Sequence, residues 1–257
     1  MCGRFSLSTP PKRLARLFDA ELADGVDPDG APHWNVAPTD DVLALRVLRH
    51  DGEDRRILDR FRWGLVPSWA KDLAEGARQF NARAESVADR PAFRSAFAAR
   101  RAAVLADGFY EWRKARGASQ PFYFWRADGE PIAFAGLWER WRDPRRADDP
   151  GGWVLTCTLI TAPAGADVED VHDRMPVILE RPMLGTWLDP ATTDRHELEA
   201  MLRPSPEGTL SRHRVDRRVG NVANDGPDLI EPIGDGDGDG GDAAQPTLFD
   251  AGDARTR

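Results

Sequence analysis

The chain has 257 residues, of which 41% are hydrophobic, and a formal net charge of −8. This size permits one large domain or two small ones, each with a sizeable core. Two cysteines are too few for a disulfide framework, their spacing fits no zinc or redox motif, and no apolar run is long enough to cross a bilayer. We therefore expect a soluble protein of the reducing cytoplasm, without a membrane partner.

The negative charge argues at first against a nucleic-acid partner, because phosphate binding relies on lysine and arginine. The uneven distribution of the negative charge along the chain weakens that argument. Residues 234–257 contain six aspartates and two arginines, so this short stretch carries half of the net charge. With only three lysines in the chain, arginine, the better bidentate phosphate ligand, supplies most of the positive charge. The composition is compatible with an arginine-lined groove for nucleic acid.

The predicted elements follow one another irregularly. Two prolines followed by apolar residues at helical spacing predict a first helix over residues 10–21. Short runs of β-favouring residues predict strands at 42–48, 56–62, 102–106, 122–125, 132–137 and 153–160. Further helices are predicted at 91–100, 182–188 and 195–202. Because this order is no βαβ repeat, we expect an α+β domain with a mainly antiparallel sheet or open barrel flanked by helices.

The composition changes abruptly after Ile233. Residues 234–242 are glycine and aspartate only, with no apolar side chain to bury. We therefore expect residues 1–233 to form a single folded domain and residues 234–257 to be a disordered acidic linker and tail.

Removal of Met1 would leave Cys2 with a free α-amine and a thiol on adjacent carbons. Such an amine is partly neutral at physiological pH and forms an imine with an aldehyde, after which the thiol closes a five-membered thiazolidine. The alternative is that Cys2 is an incidental small residue after the start codon. Cys157 lies in an apolar run, which indicates a buried, inert thiol.

Asn81 and Arg83 stand two residues apart in the segment 79–86. In an extended strand their side chains would point to the same side. That arrangement suits an amide that orients a substrate next to a guanidinium that holds a phosphate. The alternative is a surface strand with solvated polar residues.

Glu111 is a single carboxylate in the aromatic segment 108–112, directly after an apolar strand. Partial desolvation would raise its pKa, so that it could deliver and remove protons near neutral pH, as imine formation and thiazolidine closure require. The alternative is that Glu111 pairs with an arginine such as Arg113 and has no other role.

His172 lies between acidic residues and is followed by Arg174. A histidine is readily neutral or charged near neutral pH, so His172 could protonate a sugar oxygen or a leaving group while Arg174 binds a phosphate. The alternative is a structural histidine near a loop.

Two tryptophans flank a proline turn in the segment 63–69. Exposed tryptophan rings with arginines nearby form a platform for unpaired bases. We expect Trp69 at the surface, whereas Trp63 is the candidate for the core.

Taken together, these segments resemble the SRAP family, the SOS-response-associated peptidases or abasic-site processing proteins, whose members cap abasic sites in single-stranded DNA. The matching motifs run in family order over residues 1–233. They are Met1-Cys2-Gly3-Arg4-Phe5, Asn35-Val36-Ala37-Pro38, Trp63-Gly64-Leu65-Val66-Pro67-Ser68-Trp69, Asn81-Ala82-Arg83-Ala84-Glu85, Gly108-Phe109-Tyr110-Glu111-Trp112, Ala135-Gly136-Leu137-Trp138-Glu139, His172-Asp173-Arg174-Met175-Pro176 and Val219-Gly220-Asn221-Val222.

The resemblance implies that Cys2 forms the thiazolidine with the ring-opened deoxyribose, that Asn81 positions Cys2, that Glu111 is the acid and base, and that His172 acts on the opened sugar. It implies DNA contacts to phosphates by Arg4, Arg83 and Arg174, and to bases by Pro38 and Trp69. No metal or cofactor is expected. The peptidase activity in the family name is most simply removal of the protein's own Met1, either autocatalytic or by a methionine aminopeptidase.

The resulting hypothesis is a monomeric DNA-damage protein, cytoplasmic and associated with the nucleoid at damage sites, whose covalent crosslink shields an abasic site in single-stranded DNA. Two other functions stay open. One is a cysteine peptidase that acts on other proteins through Cys2 and His172. The other is a non-covalent module that binds single-stranded DNA.

The tail places two large apolar residues, Leu248 and Phe249, shortly after Gln245. This peptide looks like a sliding-clamp-binding motif, in which the glutamine and the apolar pair fill adjoining pockets. Attachment to a clamp would raise the local concentration of the protein at replication forks.

Overall fold

The computed structural model describes residues 2–50, 53–115, 118–146, 148–149 and 152–234. The predicted linker from residue 235 onward and the predicted clamp-binding residues Gln245, Leu248 and Phe249 lie outside the described residues. Among the described residues, no helix is long and apolar enough to span a membrane.

The described strands are β1 (Phe5–Leu7), β2 (Glu21–Leu22), β3 (His33–Val36), β4 (Asp41–His50), β5 (Glu53–Trp63), β6 (Asn81–Arg83), β7 (Arg101–Ala106), β8 (Gly108–Ala115), β9 (Ala118–Arg126), β10 (Ile132–Arg142), β11 (Trp153–Pro163), β12 (Arg174–Pro176) and β13 (Leu210–Arg214). The α-helices are α1 (Pro11–Leu17), α2 (Arg94–Ala99), α3 (Leu184–Leu188) and α4 (Arg195–Ala200). Short 3₁₀ helices cover Leu73–Arg78, Pro144–Arg146, Arg181–Met183, Arg217–Gly220 and Pro227–Ile230.

These strands form two sheets. The first has five strands in the order β13-β9-β8-β1-β3, and each neighbouring pair is antiparallel. The second has the order β12-β11-β10-β7-β4-β5-β2 and is built on the antiparallel hairpins β4–β5 and β10–β11. The predicted α+β domain with mainly antiparallel strands is therefore confirmed.

A parallel seam closes part of the second sheet into a barrel. Trp63, at the end of β5, pairs with Cys157 of β11. Directly after it, Gly64 has a φ of +131°, and a Cβ there would lie 2.6 Å from the carbonyl oxygen of Gly76, so only glycine fits this turn. Farther along β11, β6 adds to the same edge in parallel, with Asn81 opposite Leu159.

The second sheet lies between two hydrophobic cores, and the strand β7 contributes side chains to both. All six of its residues are buried, and alternate side chains point to opposite faces. Val104 packs between the two sheets with Phe5, Phe109 and Phe134. Leu105 packs on the other face, where the helices contribute residues such as Leu14, Phe97 and Trp187.

Most predicted elements are present with shifted ends. Helix α1 is shorter than predicted, because Phe18 already lies outside it and Asp19 takes a φ of +50°. The strands β1, β2, β3, β6, β8, β12 and β13 were not among the predicted elements.

Candidate functional site

Cys2 and Asn81 meet where β6 runs alongside β11. The Asn81 side-chain amide donates a hydrogen bond of 2.6 Å to the Cys2 carbonyl oxygen. Cys2 itself is fully buried, with its Sγ 4.0 Å from the carbonyl oxygen of Arg4. Burial raises the pKa of the Cys2 thiol, and the charge of Glu111 raises it further. The thiol is therefore held in its neutral form next to an amide that fixes the adjoining backbone.

Glu111 lies in β8, opposite Phe122 of β9, and only 2% of its surface is exposed. Burial raises its pKa. Glu111 is also close enough to Cys2 for its charge to act on the thiol. Arg113, which the sequence offered as a partner for Glu111, forms an ion pair with Asp170.

His172 is fixed by the residues that follow it. The backbone N–H of Arg174 donates to Nδ1 of His172 at 2.9 Å, so this nitrogen carries no proton in that arrangement. A carboxylate oxygen of Asp173 and the carbonyl oxygen of Arg174 also lie 3.0 and 3.2 Å from Nδ1, and either would be a hydrogen bond only with a proton on Nδ1. Because the amide is a fixed donor, we assign the neutral tautomer with its proton on Nε2.

Arg83 and Arg174 flank one end of β11, where Arg83 lies opposite Thr161 and Arg174 opposite Pro163. Arg83 is exposed. Arg174 is mostly buried and its guanidinium contacts both carboxylate oxygens of Glu85 as well as Thr161. The structure therefore brings two predicted phosphate ligands to one surface, with a carboxylate beside them.

Arg4 has a different setting. It is 8% exposed, and its guanidinium donates to Asn35 Oδ1 at 2.9 Å and to the carbonyl oxygens of Val219 and Gly220 at 2.7 and 3.1 Å. Asn35 in turn donates to the carbonyl oxygens of Val219, Asn221 and Asn224. This geometry gives Arg4 a structural role in holding residues 219–224 against the first sheet, while its contact with DNA stays a prediction.

The two tryptophans divide as the sequence predicts. Trp63 is fully buried and donates its indole N–H to the carbonyl oxygen of Phe80, whereas Trp69 is 59% exposed. Pro38 is half-buried and precedes Thr39, whose φ of +82° is unusual for a residue with a side chain. The Thr39 N–H donates to the carbonyl oxygen of Trp63, which connects this loop to the seam.

Sequence reasoning gave no role to Asn35 or Glu85, although both lie in the quoted motifs. For Glu85 a signal was present, because it stands two residues after Arg83. For Asn35 no signal was present, because the carbonyl oxygens to which its amide donates lie more than 180 positions away in the chain. No group of three or more His, Cys, Asp or Glu side chains suited to a metal ion occurs among the residues that the structure describes.

Comparisons with known proteins identify relatives of this chain. The chain is 36% identical over 234 residues to the abasic site processing protein YoqW of Bacillus subtilis, covering 90% of this chain and 99% of that protein. It is 32% identical to the abasic site processing protein YedK of Escherichia coli, covering 91% of this chain and all of that protein. The chicken abasic site processing protein HMCES is 30% identical, with 91% and 78% covered.

Solved structures share the fold. A protein from Bacteroides thetaiotaomicron superposes with a TM-score of 0.77 at 21% identity, covering 90% of this chain and all of the other. A protein from Bordetella bronchiseptica gives a TM-score of 0.67 at 28% identity, covering 84% of this chain and all of the other. Residues 1–222 match the sequence model of the SOS response associated peptidases, and the chain belongs to this SRAP family.

Proposed function

We propose that this protein captures abasic sites in single-stranded DNA by forming a covalent bond between the sugar aldehyde and Cys2. The observation that carries the proposal is the hydrogen bond from Asn81 to the Cys2 carbonyl oxygen, next to the buried carboxyl group of Glu111. Relatives that share about a third of the sequence are named abasic site processing proteins, which supports the same substrate here.

The chemistry begins with removal of Met1, which frees the α-amine of Cys2. The amine attacks the aldehyde carbon, and the resulting carbinolamine loses water to give an imine. The thiol sulfur then adds to the imine carbon, its proton passes to the nitrogen, and a thiazolidine ring closes. The net reaction releases one water for each crosslink and needs no oxidant or reductant.

The proton transfers fall to Glu111 and His172. Because burial raises the pKa of Glu111, this group is available in its neutral form to donate a proton to the departing hydroxyl. The carboxylate that remains takes the thiol proton and passes it on. The Nε2–H of the neutral His172 tautomer donates to an oxygen of the opened sugar.

The strand itself is seated by the exposed residues around this pocket. Trp69 offers an exposed ring to an unpaired base, and Arg83 offers an exposed guanidinium to the backbone. Arg174, two residues after His172, would hold a phosphate next to the lesion. The half-buried Pro38 and the buried Arg4 complete the proposed set of DNA contacts, although the Arg4 guanidinium is already hydrogen-bonded within the protein.

The test uses an oligonucleotide with a single abasic site, run on a denaturing gel after incubation with the purified protein. We expect a heat-stable shifted band for the parent and for Cys157→Ala, which keeps Cys2 and changes the other cysteine. Cys2→Ala should give no shifted band. An adduct that persists in Cys2→Ala, or none in a parent shown by intact mass to lack Met1, contradicts the proposal.

The same assay separates the two other functions. Chemical blocking of the α-amine with the thiol left free should abolish the adduct, whereas a thiol peptidase would keep its activity. A non-covalent single-strand binding module would give no denaturation-resistant band under any condition. Intact mass followed over time in a sample that retains Met1 reports whether its removal is autocatalytic or requires a methionine aminopeptidase.

A further inference from the structure

Three neighbouring strands bring two arginines and one carboxylate together at the edge of the site. β6 and β12 both pair with β11, which places Arg83 and Arg174 on either side of Thr161 to Pro163. Glu85 follows β6 directly and points its carboxylate at Arg174.

The contact between Glu85 and Arg174 involves both terminal nitrogens of the guanidinium and both oxygens of the carboxylate. One guanidinium nitrogen of Arg174 contacts Oε1 of Glu85, and the other lies 3.1 Å from Oε2 and 3.2 Å from the Thr161 hydroxyl. The Arg174 side chain is 14% exposed, whereas that of Glu85 is 50% exposed. The arginine is thus anchored in the protein, and the carboxylate covers it from the solvent side.

Glu85 is ionised in this setting. The hydrogen bond from Arg174 lowers its pKa, and the charge of Arg83 acts in the same direction. The three side chains therefore carry a net charge of about +1, where the two arginines alone would present about +2 to a DNA strand.

A guanidinium holds a carboxylate and a phosphate with the same pair of parallel hydrogen bonds. A phosphodiester that approaches Arg174 from solvent thus meets a position that Glu85 already occupies. We propose that Glu85 is an internal competitor for the DNA backbone, which occupies Arg174 in the free protein and is displaced when a phosphate binds. This inference rests on the proposed function, because it concerns the strand that the site would hold.

The consequence is selectivity for damaged strands. Glu85 lowers the equilibrium affinity for any single strand, so the protein leaves intact DNA quickly. At an abasic site the bond to Cys2 makes capture independent of that weak affinity. Glu85 therefore shortens the time spent on intact strands, and the reaction with Cys2 selects the damaged one.

The experiment measures equilibrium binding of an undamaged single-stranded oligonucleotide, which has no aldehyde, at several salt concentrations. We expect Glu85→Gln to bind about three- to tenfold more tightly at low salt, with a log–log salt slope steeper by about 0.7. The matched control is Glu21→Gln, which makes the same charge change. Glu21 pairs with Arg55 near the start of β5, far along that strand from its contact with β11.

A double variant tests whether the effect passes through Arg174. In an Arg174→Gln background, Glu85→Gln should lose most of its gain in affinity. Binding by Glu85→Gln that equals or falls below that of the parent, or an equal gain in Glu21→Gln, overturns the inference. Absence of binding in every variant overturns it as well.

Crosslinking to an abasic oligonucleotide is followed in the same samples. The inference fails while the proposed function stands if both proteins form the adduct and Glu85→Gln binds plain DNA no more tightly. The proposed function fails if neither protein forms an adduct, whatever their affinity for the plain strand.

Discussion

The side-chain amide of Asn81 and the carbonyl oxygen of Cys2, 79 positions apart in the chain, form a hydrogen bond of 2.6 Å. Asn81 is the first residue of β6, which is held in place by parallel pairing with β11. The position of Cys2 therefore depends on β6 as well as on the residues next to it in sequence.

Asn81→Ala should slow crosslinking by about a hundredfold, because loss of the donor lets the reacting amine and thiol move away from the bound aldehyde. The fold should survive, since one hydrogen bond contributes only about 1 kcal/mol. Single-turnover gel kinetics report the rate, and thermal unfolding reports the fold. Asn221→Ala, which removes an exposed side chain that caps Ala223, is the control and should react at the parent rate.

Glu111→Gln should make stability less dependent on pH. The folded pKa of Glu111 is raised by burial, so the stability associated with its neutral form is fully present below the unfolded pKa. That stability is lost as the pH rises through the folded pKa, because the unfolded chain then ionises more readily than the folded one. Urea unfolding at several pH values measures this effect. The free energy of unfolding of the parent should fall relative to that of Glu111→Gln as the pH increases.

The same variant should crosslink about a hundredfold or more slowly at neutral pH, because glutamine neither donates nor accepts the proton that the carbinolamine and the thiol exchange. A parallel pH dependence of stability in parent and variant, or an unchanged crosslinking rate, would contradict the role given to Glu111.

Arg4→Ala should destabilise the protein by about 3 kcal/mol, because it removes the donor to Asn35 Oδ1 and to the Gly220 carbonyl and one of the two donors to the Val219 carbonyl. For a domain of this size the melting temperature should fall by roughly 6–12 °C. Binding of single-stranded DNA distinguishes structural support from phosphate contact. A salt slope equal to that of the parent indicates support alone, whereas a slope shallower by about 0.7 indicates that Arg4 also neutralises a phosphate.

Trp69→Ala should weaken binding of undamaged single-stranded DNA by about 1–3 kcal/mol, since a stacked base loses its platform. Its effect on stability should be within about 0.5 kcal/mol, because the ring is 59% exposed. Trp153→Ala is a suitable control: its ring is 38% exposed and lies 4.0 Å from the guanidinium carbon of Arg140. The fluorescence anisotropy of a labelled single-stranded oligonucleotide reports binding. An equal loss of affinity in Trp69→Ala and Trp153→Ala would count against a base-stacking role specific to Trp69.

Several longer strands, such as β7 and β11, were predictable because their apolar residues are dense and bounded by turns, whereas the eight-residue strand β8 was missed. The three-residue strands β6 and β12 were not predictable, because so short a run has no period to detect. The parallel seam between Trp63 and Cys157 was also hidden, since pairing between distant segments leaves no mark in either one.

The candidate site was likewise predictable only in part. The residues next to Cys2 were identified from chemistry and from motifs, and β6 does place Asn81 against it. The burial of Arg4 was not predictable, because an arginine near a chain end is usually solvated and its acceptors come from residues 219 and 220. The contact between Glu85 and Arg174 was not predictable from the sequence, because the two residues lie 89 positions apart.

The place of β1 within the first sheet has a mechanical consequence. β1 begins three residues after Cys2 and lies between β8 and β3, so it is an interior strand. If Cys2 captures DNA as proposed, a force on the bound strand would load β1 through Gly3 and Arg4, against hydrogen bonds on both sides of β1 and those of the Arg4 guanidinium. In the proposed complex the attachment point would therefore resist tension better than an edge strand would, because hydrogen bonds on both sides of β1 would have to break together.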